Sequence, residues 1–409
     1  MASVVLVGTL DTKGLEYAFL RDRLREAGCD VTLVDAGVLG EPTVPPDITR
    51  EEVASAAGVN LADLVGGHDR GKAIAAMAEG ATAVVTRLHA EGKLHGVMGL
   101  GGSGGSSLIT QAMRALPVGV PKVMVSTVAS GDTRPYVGAV DITMMYSVVD
   151  IAGINRISSR IMENAAAAMA GMATAYANPA YATFDRPLIG ASMFGVTTPV
   201  VDHAREWLDA KGYEVVVFHA TGAGGMSLEA LIAGGFFAGV LDITTTELAD
   251  ELVGGVLSAG PTRLEQAGAA GVPQVVAPGA LDMVNFGPLD TVPPQFRNRN
   301  LYVHNPTVTL MRTTPEECAE LGRQVAEKLN AATGPTALFI PRRGVSAIAS
   351  EGEVFHDPAA DTALFDALLG TIGDHVEVHD LDLAINDPAF SEAMASRLAA
   401  MITEHNPEA

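Results

Sequence analysis

The sequence predicts an α/β fold of two Rossmann-like domains with mainly parallel sheets, related to each other as weak internal repeats. Three observations carry that reading. Short unbroken apolar runs, suited to strands buried on both faces, alternate with longer segments of helical period. Hydrophobic residues make up 48% of the 409-residue chain and aromatics only 5%, with alanine, glycine and valine abundant. That composition favours helices packed closely on a parallel sheet over an all-β sandwich. Finally, the order of strand, turn and helix signals in the first half returns in the second.

Ser3 to Val7 is the first strand, followed by a turn from Gly8 to Gly14. A helix from about Leu15 to Ala27 places Leu15, Phe19, Leu20 and Leu24 on one face and stops at Gly28. Val31 to Val34 completes a right-handed βαβ opening, with Asp35 at its end in a position that can bond a ribose. Gly40 to Asp69 is irregular, holding Pro42, Pro45, Pro46 and a short helix near Arg50 to Ala57. A long alanine-rich helix then reaches about Glu91; His68 and Arg70 before it are placed to touch a ligand, with capping and surface solvation the preferred reading.

The chain is organised around Val97 to Thr110, where an apolar strand breaks into glycines and serines and resumes as a helix. Open amides of a first helical turn, the helix dipole and glycine's small size together make an anion site. Gly-Lys-Ser/Thr is missing, so this is not a Walker A loop, and it lies too far into the chain for an opening dinucleotide turn. Val120 to Val125 is a further strand, followed by Ser126 to Thr133. A helix from about Met145 to Ala177 carries Ala165 to Ala168, Gly171 and Ala173, small residues expected to admit a close neighbour across a domain or homodimer interface. Asn178 to Pro187 reads as a linker between domains 1–180 and 181–409.

The second half opens like the first. Leu188 to Met193 is a strand, Gly195 to Pro199 a turn, the helix through Trp207 stops at Gly212, and Val215 to Phe218 is a strand. Gly119-Val120-Pro121 is answered by Gly271-Val272-Pro273. Strands near Ala337 to Ile340 and His375 to Val378 and a helix near Glu392 to Ile402 follow.

A net charge of −22 argues against a nucleic-acid groove and against an anionic membrane surface. Cys29 and Cys318 make no metal spacing and read as thiols of a reducing, cytoplasmic compartment. The beginning of the chain resembles no signal peptide, and Ile161 to Ala177 is a soluble helix broken by Glu163 and Asn164.

Three loops follow three strands of the first half and are expected at one carboxyl edge. They supply Gly8, Thr9, Asp11, Thr12 and Lys13; Gly101, Gly102, Ser103, Gly104, Gly105 and Ser106; and Ser126, Thr127, Asp132 and Thr133. Amides, hydroxyls, one cation and two carboxylates suit ATP with a magnesium ion held by Asp11 and Asp132.

These segments, Gly8-Thr9-Leu10-Asp11-Thr12-Lys13-Gly14, Gly99 to Gly105 and Ser126 to Thr133, resemble signature segments of the Tm-1-like, or UPF0261, family. The resemblance extends through Phe218 to Gly225 and Val303 to Thr314, and so over nearly the whole chain. It implies a two-domain Rossmann-like fold, ATP binding by the N-terminal domain, and dimers; it names no reaction. In plants the module is joined to a TIM-barrel-like domain and inhibits viral replication. This chain ends without that segment, and the antiviral role is not expected of it.

In the second half, His219, Glu247 and Asp282 are acid–base candidates, Arg343 is a clamp for a carboxylate or phosphate, and His304 is a further candidate. The competing reading is a hydrogen-bond network without chemistry. Two functions follow. One is an ATP-dependent enzyme acting on a small anionic metabolite at an interdomain cleft, by phosphoryl or adenylyl transfer, with Asp132 and the second-half residues catalytic. The other is a non-catalytic, nucleotide-responsive binding or regulatory protein.

Overall fold

The computed structural model describes residues 1–67, 69–178 and 186–405. It divides into two compact units, Met1–Thr183 and Phe184–Ala409, each with its own parallel sheet. His68 and residues 179–185, most of the expected linker, lie outside the described residues.

The first unit runs β1 (Ser3–Gly8), α1 (Leu10–Glu26), β2 (Asp30–Asp35), α2 (Arg50–Ala56), α3 (Leu61–Gly66) and α4 (Arg70–Ala90). It continues through β3 (Gly96–Gly101), α5 (Ser103–Arg114), β4 (Lys122–Ser126), α6 (Arg134–Val137), β5 (Thr143–Tyr146) and α7 (Arg156–Ala177). The five strands are parallel in the order β2-β1-β3-β4-β5, so the chain direction across the sheet reverses between β1 and β3. The pleat explains the unbroken apolar runs. Val5 and Val7 face a core built with α2, α4 and α5, while Val4 and Leu6 face one built with α1 and α7.

Two expectations need correction here. Helix α1 starts at Leu10, because Gly14 is not a breaker: it lets Thr43 pack where a Cβ would stand, 2.0 Å from Thr43 Oγ1. Helix α7 starts at Arg156, capped by Asn155, since Met145 and Tyr146 belong to β5. Its small-residue face (Ala165, Ala166, Ala170 and Ala173) is buried within the unit's own core, and an added Cβ at Gly96 would strike Met169. Those four are therefore covered within the unit, whereas Ala167, Ala168 and Gly171 of the same small-residue run are exposed.

The second unit opens with β6 (Leu188–Met193), α8 (Thr198–Ala210), β7 (Glu214–His219), α9 (Ala223–Ala233), β8 (Gly239–Thr244), α10 (Glu247–Val253), α11 (Gln266–Ala270) and β9 (Gln274–Gly279). An antiparallel three-stranded sheet follows, β10 (Met283–Phe286), β11 (Leu301–Asn305) and β12 (Val308–Arg312), which the sequence reading did not foresee. Then come α12 (Pro315–Asn330), β13 (Thr336–Pro341), α13 (Pro358–Thr371), β14 (Glu377–Leu381) and α14 (Pro388–His405). The parallel strands lie in the order β7-β6-β8-β9-β13-β14. Position for position, β7-β6-β8-β9 matches β2-β1-β3-β4, so the repeat read in the sequence holds at the level of topology. No helix among the described residues is long and apolar enough to cross a membrane.

Candidate functional site

In an open α/β sheet, ligands bind beyond the carboxyl ends of the strands where the strand order reverses. In the first unit that point is the split between β1 and β3. Their pairing stops after Leu6 and Met98, and one side chain fills the gap below. The Tyr17 hydroxyl, 2.6 Å from Val7 O and 3.0 Å from Leu100 O, also accepts the Leu100 amide at 2.9 Å. It accepts one amide and holds its single proton within reach of two carbonyls that the parting strands leave without a ladder. Gly8 makes room for the ring: a Cβ there would lie 1.9 Å from Tyr17. Burial pushes the phenol well above its ordinary range, so the wedge stays neutral.

Above it lies a cavity of about 340 Å³. Its floor is the turn from β3 into α5. Gly101 and Gly105 allow this turn, since a Cβ on Gly101 would stand 3.1 Å from the Gly105 Cα. Gly102 occupies the N-cap position of α5 without a side-chain cap, which leaves the first-turn amides of Ser103, Gly104 and Gly105 open. Arg70, the first residue of α4, has no hydrogen-bond or ion-pair partner among the described residues. Its Nη2 lies 3.7 Å from where a Gly104 Cβ would stand. Thr9, Thr12 and Lys13 border the cavity from the start of α1, and Val38, Leu39, Ile74, Met77 and Leu108 give it an apolar wall. Lys13 departs from helical geometry, with φ −130°, and its ammonium donates to the Ile151 carbonyl. Asp150, beside Ile151, also lines the cavity.

The carboxylates are more constrained than the sequence suggested. Asp11 Oδ2 accepts the amides of Leu39 (2.7 Å) and Gly40 (3.2 Å), while Oδ1 is buried without a partner, 2.8 Å from where a Gly37 Cβ would stand. Asp35 is fully buried and accepts the amides of Leu10 (3.1 Å) and Gly37 (2.9 Å), so it orders the turns beside the cavity and offers nothing to a ribose. Burial raises its pKa against those two amides.

The third predicted loop does not join the site. Ser126 and Ser106 hydrogen-bond each other at 2.6 Å in the interior, pinning β4 to α5. Thr127, Thr133 and Asp132 do not line the cavity. Asp132 is exposed and held by both arms of Arg134, at 2.9 and 2.7 Å, which keeps its carboxyl down at about 2. The loop after β2 (Ala36, Val38 and Leu39) and Arg70 take the place that the sequence reading gave to Ser126–Thr133. Tyr17 was missed, carrying no signal beyond a polar tip on an apolar helix face.

The second-unit candidates are not gathered in one cavity. Glu247, first residue of α10 and fully buried, accepts the amides of Gly222 (2.7 Å) and Gly225 (3.0 Å) through Oε1 and Arg263 Nε through Oε2 (2.7 Å). Arg263 is itself fully buried and also binds Asp242 by both arms, at 2.5 and 2.6 Å, and Glu229 at 3.1 Å. Burial works against its charge, but these three carboxylates hold its pKa well above the ordinary value. Burial raises Glu247 against the pull of Arg263. Asp282 is buried, accepts the Ser346 hydroxyl at 2.8 Å and is pushed up to about 6 by burial, with Arg312 opposing. His219 is exposed at the end of β7, edge-on to Phe194. Arg343 borders an open cavity of about 760 Å³ with Arg342, Ser350 and His356, but Asp382 already holds both its arms, at 2.8 and 2.6 Å. His304 is exposed on β11. Thus at the α9 N-terminus the second unit bonds its own carboxylate with amides of the kind the first unit leaves open on α5.

Models of the Uncharacterised protein family (UPF0261) match the chain, the N-terminal domain over residues 2–178 and the C-terminal domain over residues 186–402. A UPF0261 protein of Clostridium tetani is 55% identical over 400 residues, covering 98% of each chain. One of Rhizobium meliloti is 50% identical over 395 residues, 96% of this chain and 97% of that one. The ToMV resistance protein Tm-1 of Solanum lycopersicum is 40% identical over 411 residues, 96% of this chain but 54% of the tomato protein. Likeness to solved structures is slight: UDP-N-acetylglucosamine 2-epimerase from Rickettsia bellii aligns over 99% of this chain and 97% of its own with 10% identity and a TM-score of 0.24.

Proposed function

The chain belongs to the UPF0261 family, and from that premise we propose that its first unit binds ATP in the cavity at the β1–β3 split. One observation carries the reading: open first-turn amides and two basic side chains share a cavity with an apolar wall, which suits a polyphosphate joined to a flat ring. The phosphates lie against Ser103–Gly105 under Arg70 and Lys13, and the base against Val38, Leu39, Ile74 and Met77. Calorimetric titration of the full chain tests this, with saturable binding of one ATP per chain expected. No heat at millimolar ATP refutes it.

Of the two functions, we favour the nucleotide-responsive binding protein over the transferase. Glu247 and Arg343 are engaged by their own unit, Asp282 is sealed from solvent, and the exposed His219 and His304 lie on separate strands, β7 and β11, of different sheets. Screening small carboxylates and sugar acids with ATP, read by mass spectrometry, separates the two. A metabolite that stimulates turnover restores the enzyme with its small anionic substrate. A cytoplasmic setting, in keeping with two free buried cysteines, and a homodimer, on the family resemblance, complete the proposal. Light scattering at micromolar chain tests the latter.

The residues present do not fit the magnesium ion expected between Asp11 and Asp132. Asp132 is outside the cavity, and Asp11 turns both oxygens into the protein.

A further inference from the structure

We propose that the anion in this cavity is neutralised without a divalent cation, by Arg70 and Lys13 together with the open amides of α5, so that the ligand is a metal-free nucleotide. The inference rests on the nucleotide reading above and names the form in which the nucleotide binds.

A magnesium ion shared with phosphates is held by one or two protein carboxylates whose oxygens face the ligand. Among the described residues, two carboxylates border the cavity. Asp11 gives Oδ2 to the Leu39 and Gly40 amides, and its Oδ1 is buried beside Gly37 without a partner. Turning it outward would strip the amides that order the β2 loop, which is itself part of the cavity wall. Asp150 accepts the Ile151 amide at 2.8 Å, and the next carbonyl along, that of Ile151, holds the Lys13 ammonium. A divalent ion at Asp150 would therefore share the cavity with a fixed positive charge.

The basic groups are placed the other way. Among the described residues Arg70 has no acidic partner to leave: the neighbouring Asp69 is turned back onto its own helix, where Oδ1 accepts the Lys72 amide at 3.0 Å. Its guanidinium lies over Gly104, where a planar fork of donors can take two phosphate oxygens while the helix amides take others. Lys13 has three donors, and the Ile151 carbonyl uses one, which also fixes where the ammonium sits. Two cations and a helix N-terminus worth about half a charge offset most of the charge of a diphosphate, and more than half of that of a triphosphate, without a metal.

The test is calorimetric titration of AMP, ADP and ATP into the full chain, once in EDTA and once in excess magnesium chloride. Wild type, Arg70→Ala and Arg70→Lys are compared. The expected dissociation constants in EDTA lie within about threefold of those in magnesium. Arg70→Ala should weaken ADP and ATP at least tenfold while the ligand-free melting temperature stays put, because Arg70 is exposed. Arg70→Lys should recover only part, having charge but no fork. Nucleotide binding that is tenfold or more tighter with magnesium overturns the inference, as does an Arg70→Ala protein that binds like wild type. An absence of binding under both conditions instead overturns the nucleotide reading on which it stands.

Discussion

Replacing Gly104 with alanine should make the protein more stable and its nucleotide binding weaker, and the opposite signs are the test. Gly104 is the second residue of α5, and its backbone is helical. An added Cβ would meet Ile74 Cδ1 at 3.4 Å and Arg70 Nη2 at 3.7 Å, both ordinary contacts. With the fold undisturbed, alanine restricts the unfolded chain and gains about 0.4–1 kcal/mol. For a unit of this size that raises the melting temperature by about 1–4 °C. The same methyl stands over the first-turn amides, whose bonds to a phosphate need about 2.9 Å between nitrogen and oxygen. Losing even one charge-assisted bond of about 1.5–3 kcal/mol weakens ATP by roughly ten- to a hundredfold. Thermal melts followed by circular dichroism and calorimetric titration read the two effects separately. Unchanged ATP affinity in a stabilised variant would show that the phosphates do not lie on α5. A lowered melting temperature would refute the account of free space above Gly104.

Glu247→Gln keeps the shape of a buried side chain but removes its charge from Arg263 and from the Gly222 and Gly225 amides. It should cost about 1–3 kcal/mol in urea unfolding, yet leave the ATP dissociation constant within threefold; a tenfold loss of affinity would return Glu247 to the functional site. Burial raises Asp250 from 3.8 to about 7 and Asp282 to about 6, so the native state keeps protons that the unfolded chain releases. Their contribution is full below about pH 4 and is lost as pH rises toward 7. Asp250→Asn should therefore narrow the difference in urea midpoint between pH 5 and pH 8, and an unchanged difference would mean that Asp250 is ionised in the fold.

The apolar runs located the paired strands because burial on both faces leaves no polar position to confuse the period; β1 and β3 are cases. Gly99 to Gly105 likewise announced its turn, where a Cβ on residue 101 would crowd residue 105 at 3.1 Å. Other roles depended on partners far along the chain. Arg263 lies in a short Pro-Thr-Arg-Leu stretch with no periodic or motif signal, and its place among Asp242, Glu247 and Glu229 exists only after folding. Ser106 and Ser126 carry the same hydroxyl as Ser103, and no local feature says which of them turns inward. Gly14 was misjudged for a related reason: a glycine that admits a neighbour looks, in sequence, like one that belongs to a turn. Arg70 read as a surface residue and is indeed exposed, but its position over Gly104 comes from the packing of α4 beside α5.

Tyr17 gives the split between β1 and β3 a voice of its own. A phenol has one proton, and here two carbonyls, on different strands, stand within reach of it. The proton is divided between Val7 and Leu100 according to how far apart those strands are, and the fully buried ring shields it from solvent exchange. In a chain with seven tyrosines, it is the hydroxyl resonance to look for in magnetic-resonance spectra. Its chemical shift is a ruler laid across the crevice, read from beneath without touching whatever lies above.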